Sequence, residues 1–263
     1  MRSVMHYFKH AMAISRYMSL ASYMTLRKKR RYEPGKTTLL GKEVFYSDAC
    51  TFLEGVNELF IQESYWFPCK NKTPFILDCG ANIGLSTIYF KTLHPSSQVI
   101  AFEPDSRIHW IFEKNIKSFG FKNITANNSA IWTANGELQF ISEGGYSGRV
   151  DYSSQSKEYV KACRLRDYLD HPVDFLKLDI EGCEVDVLLD CADRLKNIQC
   201  AFIEYHSPVN RPQRLSVLLE LLEKNHFRHH ILSEFAFRSP HRDLKPMVEF
   251  DNQLSIHAWK ADI

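Results

Sequence analysis

From Thr73 onward the chain alternates short apolar runs with longer amphipathic ones. The runs "PFILDCG", "QVIAFEPD", "NITANNSAIW", "VDFLKLDIEG" and "IQCAFIEYH" are rich in β-branched and aromatic residues and read as strands. Between them, "GLSTIYFKTLH", "SRIHWIFEKNIKSFG", "EVDVLLDCADRLK" and "QRLSVLLELLEKNHF" repeat apolar residues at three- and four-residue steps and read as helices. Strands apolar on both faces, joined by crossover helices, predict an α/β fold with a mostly parallel doubly wound sheet. "RHHILS" and "QLSIHAWKA" follow as two strands joined by a loop, an antiparallel pair at one edge. Residues 73–263 therefore read as one domain. Residues 37–72 form a lead-in: a strand arm, "GKEVFYSD", then a helix in "ACTFLEGVNELFIQESYWF" that is expected to cover one edge of the domain. In residues 1–36, Met5, Phe8, Met12, Ile14, Tyr17, Met18, Ala21 and Met24 recur at helical spacing until Pro34-Gly35 breaks the pattern.

Charge singles out that first segment. The whole chain has a net charge of +2, but residues 1–36 hold nine Lys/Arg against one acid, Glu33, which leaves the rest at −6. The peak is Arg27-Lys28-Lys29-Arg30-Arg31. Lys9, His10 and Arg16 interrupt any signal-like apolar run, and no stretch reaches the length of a membrane span. The segment is expected to be a helical appendage outside the chemistry. It would pack on the domain or on a second copy of the chain as a homodimer, or lie on an anionic membrane surface. A single basic run is weak ground for nucleic acid, and none is expected. The seven cysteines are odd in number and lack C-x-x-C spacing, so buried free thiols in a cytoplasmic protein are expected, peripheral at the inner membrane face if the segment binds lipid.

The candidate chemistry begins at "FILDCGANIGLS", Phe75–Ser86, where a strand ends in Asp78 and turns on Gly80 and Gly84. Doubly wound sheets bind ligands at this place, beyond the carboxyl end of the first strand, with the next helix aiming its N-terminus there. The pattern D-x-G-x-N-x-G lacks the third glycine of the pyrophosphate fingerprint, which disfavours a dinucleotide oxidoreductase. Asp78 suits a cationic group instead. Glu103 follows Gly84 by 19 residues, at the end of the second strand, where an acid can bridge two ribose hydroxyls. A ribose with a cationic tail describes S-adenosyl-L-methionine.

On these residues the chain resembles the FkbM family of S-adenosylmethionine-dependent methyltransferases. The segments that carry the resemblance are "NELFIQESYWF", "FILDCGANIGLSTIYF", "VIAFEPD", "NNSAIWTANGELQF", "FLKLDIEGCEVDVL" and "FIEYHS", in that order between residues 40 and 262. The resemblance implies the class I methyltransferase fold, Rossmann-like, with seven strands and the seventh antiparallel. It implies methyl transfer to oxygen, on a hydroxyl of a sugar or of a natural product, and the acceptor is read as a glycan, a glycolipid or another hydroxylated metabolite. Asp78, Gly80, Asn82, Gly84 and Glu103 would hold the cofactor, with the adenine near Ser129 and Ala130, and Glu58 and Tyr65 near the methionine end. Residues 1–36 lie outside the resemblance.

An alcohol acceptor must lose a proton, which a carboxylate or imidazole can take. The candidates are Asp179 and Glu181 in "KLDIEG", and Glu204 and His206 in "IEYH". His206 is expected to be the base, oriented by Asp179, with Lys177 neutralising the acids. The same four residues could form an oxygen-rich Mg²⁺ site, but pairing of the acids with Lys177 suffices and no metal is expected. "SEGGYSGRV", with Tyr146 and Arg149, is expected to lie near the pocket mouth. Two alternatives stand beside the glycan reading: a methyltransferase of a small natural product, peptide or amino acid, and a non-catalytic S-adenosylmethionine-binding scaffold protein.

Overall fold

The computed structural model describes residues 12–142, 148–150, 158–233 and 250–261. A short helix, α1 (Leu20–Leu26), precedes a hairpin of β1 (Gly35–Leu39) and β2 (Lys42–Tyr46). Then come α2 (Ala49–Val56), which runs on as a π-helical turn over Asn57–Ile61, β3 (Phe75–Cys79), α3 (Leu85–Leu93), β4 (Gln98–Phe102), α4 (Ser106–Phe119) and β5 (Ile124–Asn127). Four strands follow: β6 (Ala130–Trp132), β7 (Gly136–Ser142), β8 (Gly148–Val150) and β9 (Glu158–Arg164). The chain continues through β10 (Val173–Leu178), α5 (Glu184–Asp190), β11 (Ile198–Pro208), α6 (Leu215–Lys224), β12 (Phe227–Ser233) and β13 (Phe250–Lys260).

Seven strands make the central sheet in the order β12-β13-β11-β10-β3-β4-β5. β3, β4, β5, β10 and β11 run parallel, and β13 is antiparallel to both β11 and β12. The expected sheet and its antiparallel edge pair are both present. Alternation along β3 divides the core: Ile76 joins the cluster under α3, while Leu77 and Cys79 join the cluster on the opposite face. Register sets Lys177 of β10 directly beside Asp78 of β3, both on the α3 face.

Three expectations change. The lead-in covers a face of the sheet, not an edge: Tyr65 lies 4.5 Å from Phe202 and Phe67 stacks 4.6 Å from Phe175, ring centre to ring centre. The first segment packs on the domain, one of its expected placements, but not as one helix. Ile14, Met18 and Leu26 are buried in the same core as the α3 face, and the Leu40 N–H donates to the Tyr17 carbonyl. Its expected single helix breaks at Ser19, whose hydroxyl caps α1 by accepting the Ser22 N–H. "NITANNSAIW" is two strands, not one. Asn128 donates its side-chain amide to the carbonyls of Glu103 and Pro104, which turns the chain from β5 into a second, four-stranded sheet ordered β6-β9-β7-β8.

Of the cysteines, Cys79, Cys183, Cys191 and Cys200 are buried, but Cys50 is exposed and Cys69 and Cys163 are half-buried. No described helix is long and apolar enough to cross a membrane.

Candidate active site

β3 ends at a glycine loop that permits little variation. Gly80 has φ +85°, and a Cβ there would lie 1.9 Å from the Asp179 carbonyl oxygen. Gly84 has φ +88°, and a Cβ would lie 2.3 Å from the Phe112 ring. Both backbones need left-handed φ and close approach, which only glycine tolerates. Asn82 between them is also left-handed, at φ +49°, and its Oδ1 accepts the Ile83 N–H.

Asp78 lies under this loop, fully buried. Its Oδ2 accepts the hydroxyls of Ser86, at 2.7 Å, and Thr87, at 2.6 Å, in the first turn of α3, while Oδ1 has no partner. Burial raises its pKa, against the pull of Lys177. Glu103, at the end of β4, is also buried: Oε2 accepts the Asn82 N–H and Oε1 the Asp105 N–H, both at 2.9 Å. Burial pushes it up to about 7 despite those bonds. Ser129 is buried beyond Glu103, its hydroxyl accepting the Cys163 thiol of β9, and the adjacent Ala130 begins β6.

A cavity of about 1240 Å³ opens between the loops that follow β3 and β10 and residues 23–65. That exceeds the ~300–1,000 Å³ of an ordinary single-ligand pocket, so it has room for more than one ligand. Gly80, Asn82, Lys177, Asp179, Glu181 and Glu204 line one side, and Glu58 and Tyr65 line the other. Glu58 projects from the π-helical turn, a distortion that recurs at functional sites. Tyr65 is buried among aromatic rings, and burial, with Glu58 next in effect, raises its hydroxyl well above the usual value.

Lys177 Nζ ties the two loops together. It donates to the Gly80 carbonyl at 2.5 Å and to Asp179 Oδ2 at 2.9 Å. Burial opposes its charge, but Asp179 and Asp78 outweigh that and keep it an ammonium. Its expected role of neutralising acids is seen directly.

The expected base sits elsewhere in the cluster. The His206 side chain is 1% exposed and lies behind the acids, with Phe250 packed on its ring. Nδ1 is 3.1 Å from Glu184 Oε1; Nε2 is 3.5 Å from Glu181 and 3.8 Å from Glu204. Burial opposes its charge, yet Glu184, Glu181 and Glu204 raise it well above the ordinary histidine value. Asp179 does not orient it; Glu184 does, because Asp179 is held by Lys177. Sequence reasoning missed Glu184. Its Oε1 also accepts the N–H groups of Ile180 and Gly182, clamping the loop before α5. The available signal was an acid at a helix start just after a glycine, a position that caps loop amides.

That clamped loop holds Glu181 at φ +59°, a strained backbone for a non-glycine residue, and turns it to the cavity. Burial, then neighbouring acids, push its carboxyl up to about 8 against the opposing pull of His206. Glu204 is pushed up to about 7 by burial and Asp179, and accepts a hydrogen bond from Gln253. Donor atoms of Asp179, Glu181 and His206 lie within 4.8 Å of one another, but Lys177 occupies one side of Asp179. In "SEGGYSGRV", residues 143–147, Tyr146 among them, lie outside the described residues, while Gly148–Val150, with Arg149, is a strand.

The model of the methyltransferase FkbM domain family matches residues 78–238, more than half of the chain. "Methyltransferase 1" of Beauveria bassiana is 27% identical over 158 residues, covering 50% of this chain and 64% of that protein. "Methyltransferase sdnD" of Sordaria araneosa is 26% identical over 169 residues, covering 50% and 65%. The match thus spans slightly less than two thirds of each relative's length. A 27% identity over 219 residues relates 65% of the chain to 10% of "AMB antimetabolite synthetase AmbE" of Pseudomonas aeruginosa. Among solved structures, methyltransferase FkbM from Methylobacillus flagellatus KT aligns over 95% of this chain and 60% of its own at 14% identity and TM-score 0.49.

Proposed function

The chain belongs to the methyltransferase FkbM domain family, and from that premise we propose that it is an O-methyltransferase acting on a hydroxyl of a glycan, a glycolipid or a related metabolite. S-adenosylmethionine is the methyl donor of that family. The residues here fit it. Asp78 keeps a buried oxygen without a partner beside a glycine loop with no room for a Cβ. Glu103 spends one acceptor site of each oxygen on an N–H, and a carboxylate has about four, so capacity for two ribose hydroxyls remains. Asp78, Gly80, Asn82, Gly84 and Glu103 would hold the cofactor, with Ser129 toward the adenine and Glu58 and Tyr65 toward the methionine end. Bound there, it supplies an electrophilic methyl group.

The chain's own task is to orient the acceptor, exclude water and take one proton. In our reading Glu181 takes that proton on its carboxylate. Its strained, clamped placement on the cavity wall is the observation that carries this. A carboxyl near pH 8 populates both protonation states around neutrality, as a general base must. His206, held by Glu184, positions Glu181 from behind and shares the charge. Lys177 pairs with Asp179 and keeps the two loops joined. The test is methyl transfer to a panel of hydroxylated acceptors, wild type beside Glu181→Gln. Transfer to amine acceptors alone would overturn the oxygen assignment.

A second reading, methylation of a small natural product, peptide or amino acid, is favoured by the similarity to an antimetabolite synthetase. Association with a second copy or an anionic membrane remains part of the proposal, and falls to Met12, Leu20 and Met24, which stay exposed on the first segment.

A further inference from the structure

We propose that the acceptor carries an anionic group, a carboxylate or a phosphate, which Arg27 and Lys29 bind at the rim of the cavity. The inference rests on the methyltransferase reading above and adds the charge of the substrate to it. The basic run was expected to be outside the chemistry, yet Arg27, Lys29 and Arg31 line the same cavity as Glu181 and Glu204. Their backbone is fixed there. Leu26 is buried in the core, and the Lys29 N–H donates to the Leu26 carbonyl at 3.0 Å.

The three cations differ in what they hold. Arg31 is spent: its Nε is 3.0 Å from Asp48 Oδ2. Among the described residues, Arg27 makes no ion pair and only faces the Tyr23 ring, 5.7 Å from its centre, and Lys29 makes none either. Both are exposed. Two cations without an ion pair among the described residues therefore stand at a cavity that Glu54 and Glu58 line on the same side and Asp179, Glu181 and Glu204 on the other. The volume, about 1240 Å³, exceeds that of an ordinary single-ligand pocket, ~300–1,000 Å³. This polarity also orients a ligand. An anion is repelled by the acids of the far side and attracted by the rim, so a hydroxyl at the other end of the same molecule is turned toward Glu181. A neutral acceptor would gain no such orientation.

The test uses the full chain saturated with S-adenosylhomocysteine and probes that differ only in charge: glucose, glucuronate and glucose 6-phosphate, with glycerol, glycerate and glycerol 3-phosphate as a second set. Affinity is read by calorimetry. At least one charged probe should bind about tenfold or more tightly than its neutral parent, a preference that shrinks as salt rises. The double variant Arg27→Gln, Lys29→Gln should abolish the preference while leaving S-adenosylhomocysteine affinity unchanged. The carboxylate and phosphate members show which anion is held. Equal or absent binding of charged and neutral probes overturns the proposal, as does a preference that survives the double variant. Failure of S-adenosylhomocysteine itself to bind would instead overturn the methyltransferase reading.

Discussion

The two sides of the cavity are built differently. One side comes from the ends of β3, β10 and β11, where parallel register sets Asp78 beside Lys177 and leads into Gly80, Asp179 and Glu181. It is acidic, largely buried and tied by short hydrogen bonds to backbone. The other side comes from α1, α2 and the π-helical turn, and bears exposed cations at its rim. The buried side is where protons and a cofactor can be held, because low solvent access strengthens each interaction and shifts each pKa. The exposed side is screened by solvent, which weakens each charge interaction there. The family model covers residues 78–238, which supply most of the first side, and not the segment that builds the second.

The sharpest break between the sides should come from Glu181→Gln. Turnover should fall about 10²–10⁴-fold, with S-adenosylhomocysteine affinity nearly intact. His206→Gln should lower turnover less and shift the pH at which turnover rises, because His206 acts through Glu181. If Glu181→Gln retains full turnover in a methyl-transfer assay, the buried side does not supply the base.

Next in size is Gly80→Ala. Its Cβ has no room beside Asp179, and the φ of +85° adds strain of about 1–3 kcal/mol. A lower thermal midpoint is expected, together with loss of cofactor binding by calorimetry. An unchanged affinity would show that the loop is looser than its contacts indicate.

The titration of the buried side should appear in stability. Glu103, Glu181 and Glu204 are raised above the ordinary 4.5 to about 7, about 8 and about 7. The fold therefore favours their protonated forms. That contribution is full below about 4.5 and is lost as pH rises through about 7 to 8. His206, raised by its acids, acts in the same sense, its stabilisation fading as pH climbs past its raised value. Thermal midpoints should fall between about pH 4.5 and pH 8, less steeply in Glu181→Gln. On the exposed side Asp48 runs the opposite way: held at about 2, it contributes stability above the ordinary 3.8 that is lost as pH falls through about 2.

The smallest effect belongs to Arg31→Ala. Its ion pair with Asp48 is half-exposed on the arginine side, and Asp48 keeps the Thr51 and Tyr32 N–H groups. A stability loss of about 0.2–1 kcal/mol is expected in a denaturant titration. A much larger loss would mean that the basic segment is structural first and selective second.

The two sides were also unequally legible in the sequence. Apolar strands, their crossover helices, the glycine loop and Glu103 declare themselves locally, because each depends on neighbours in the chain. Lys177 lies two residues before Asp179, and Glu204 two before His206, so strand alternation puts each pair on one face. Glu184 was hidden, since its role depends on folding back on the loop amides of Ile180 and Gly182. The half-exposed strand β9, "EYVKACR", lacks an apolar run and went unseen. The return of Arg27 and Lys29 to the cavity was also hidden, because it rests on Ile14, Met18 and Leu26 packing into a core assembled much later in the chain.

The most direct measurement is a calorimetric titration of the wild-type chain with S-adenosylmethionine and, separately, NAD, repeated on Glu103→Ala. S-adenosylmethionine should bind and NAD should not. Glu103→Ala should weaken S-adenosylmethionine by about one to two orders of magnitude, since a charged hydrogen-bond acceptor of this kind contributes roughly 1.5–3 kcal/mol. Binding of NAD in place of S-adenosylmethionine, or an affinity unaffected by removal of Glu103, would contradict a methyl-donor site built on the glycine loop.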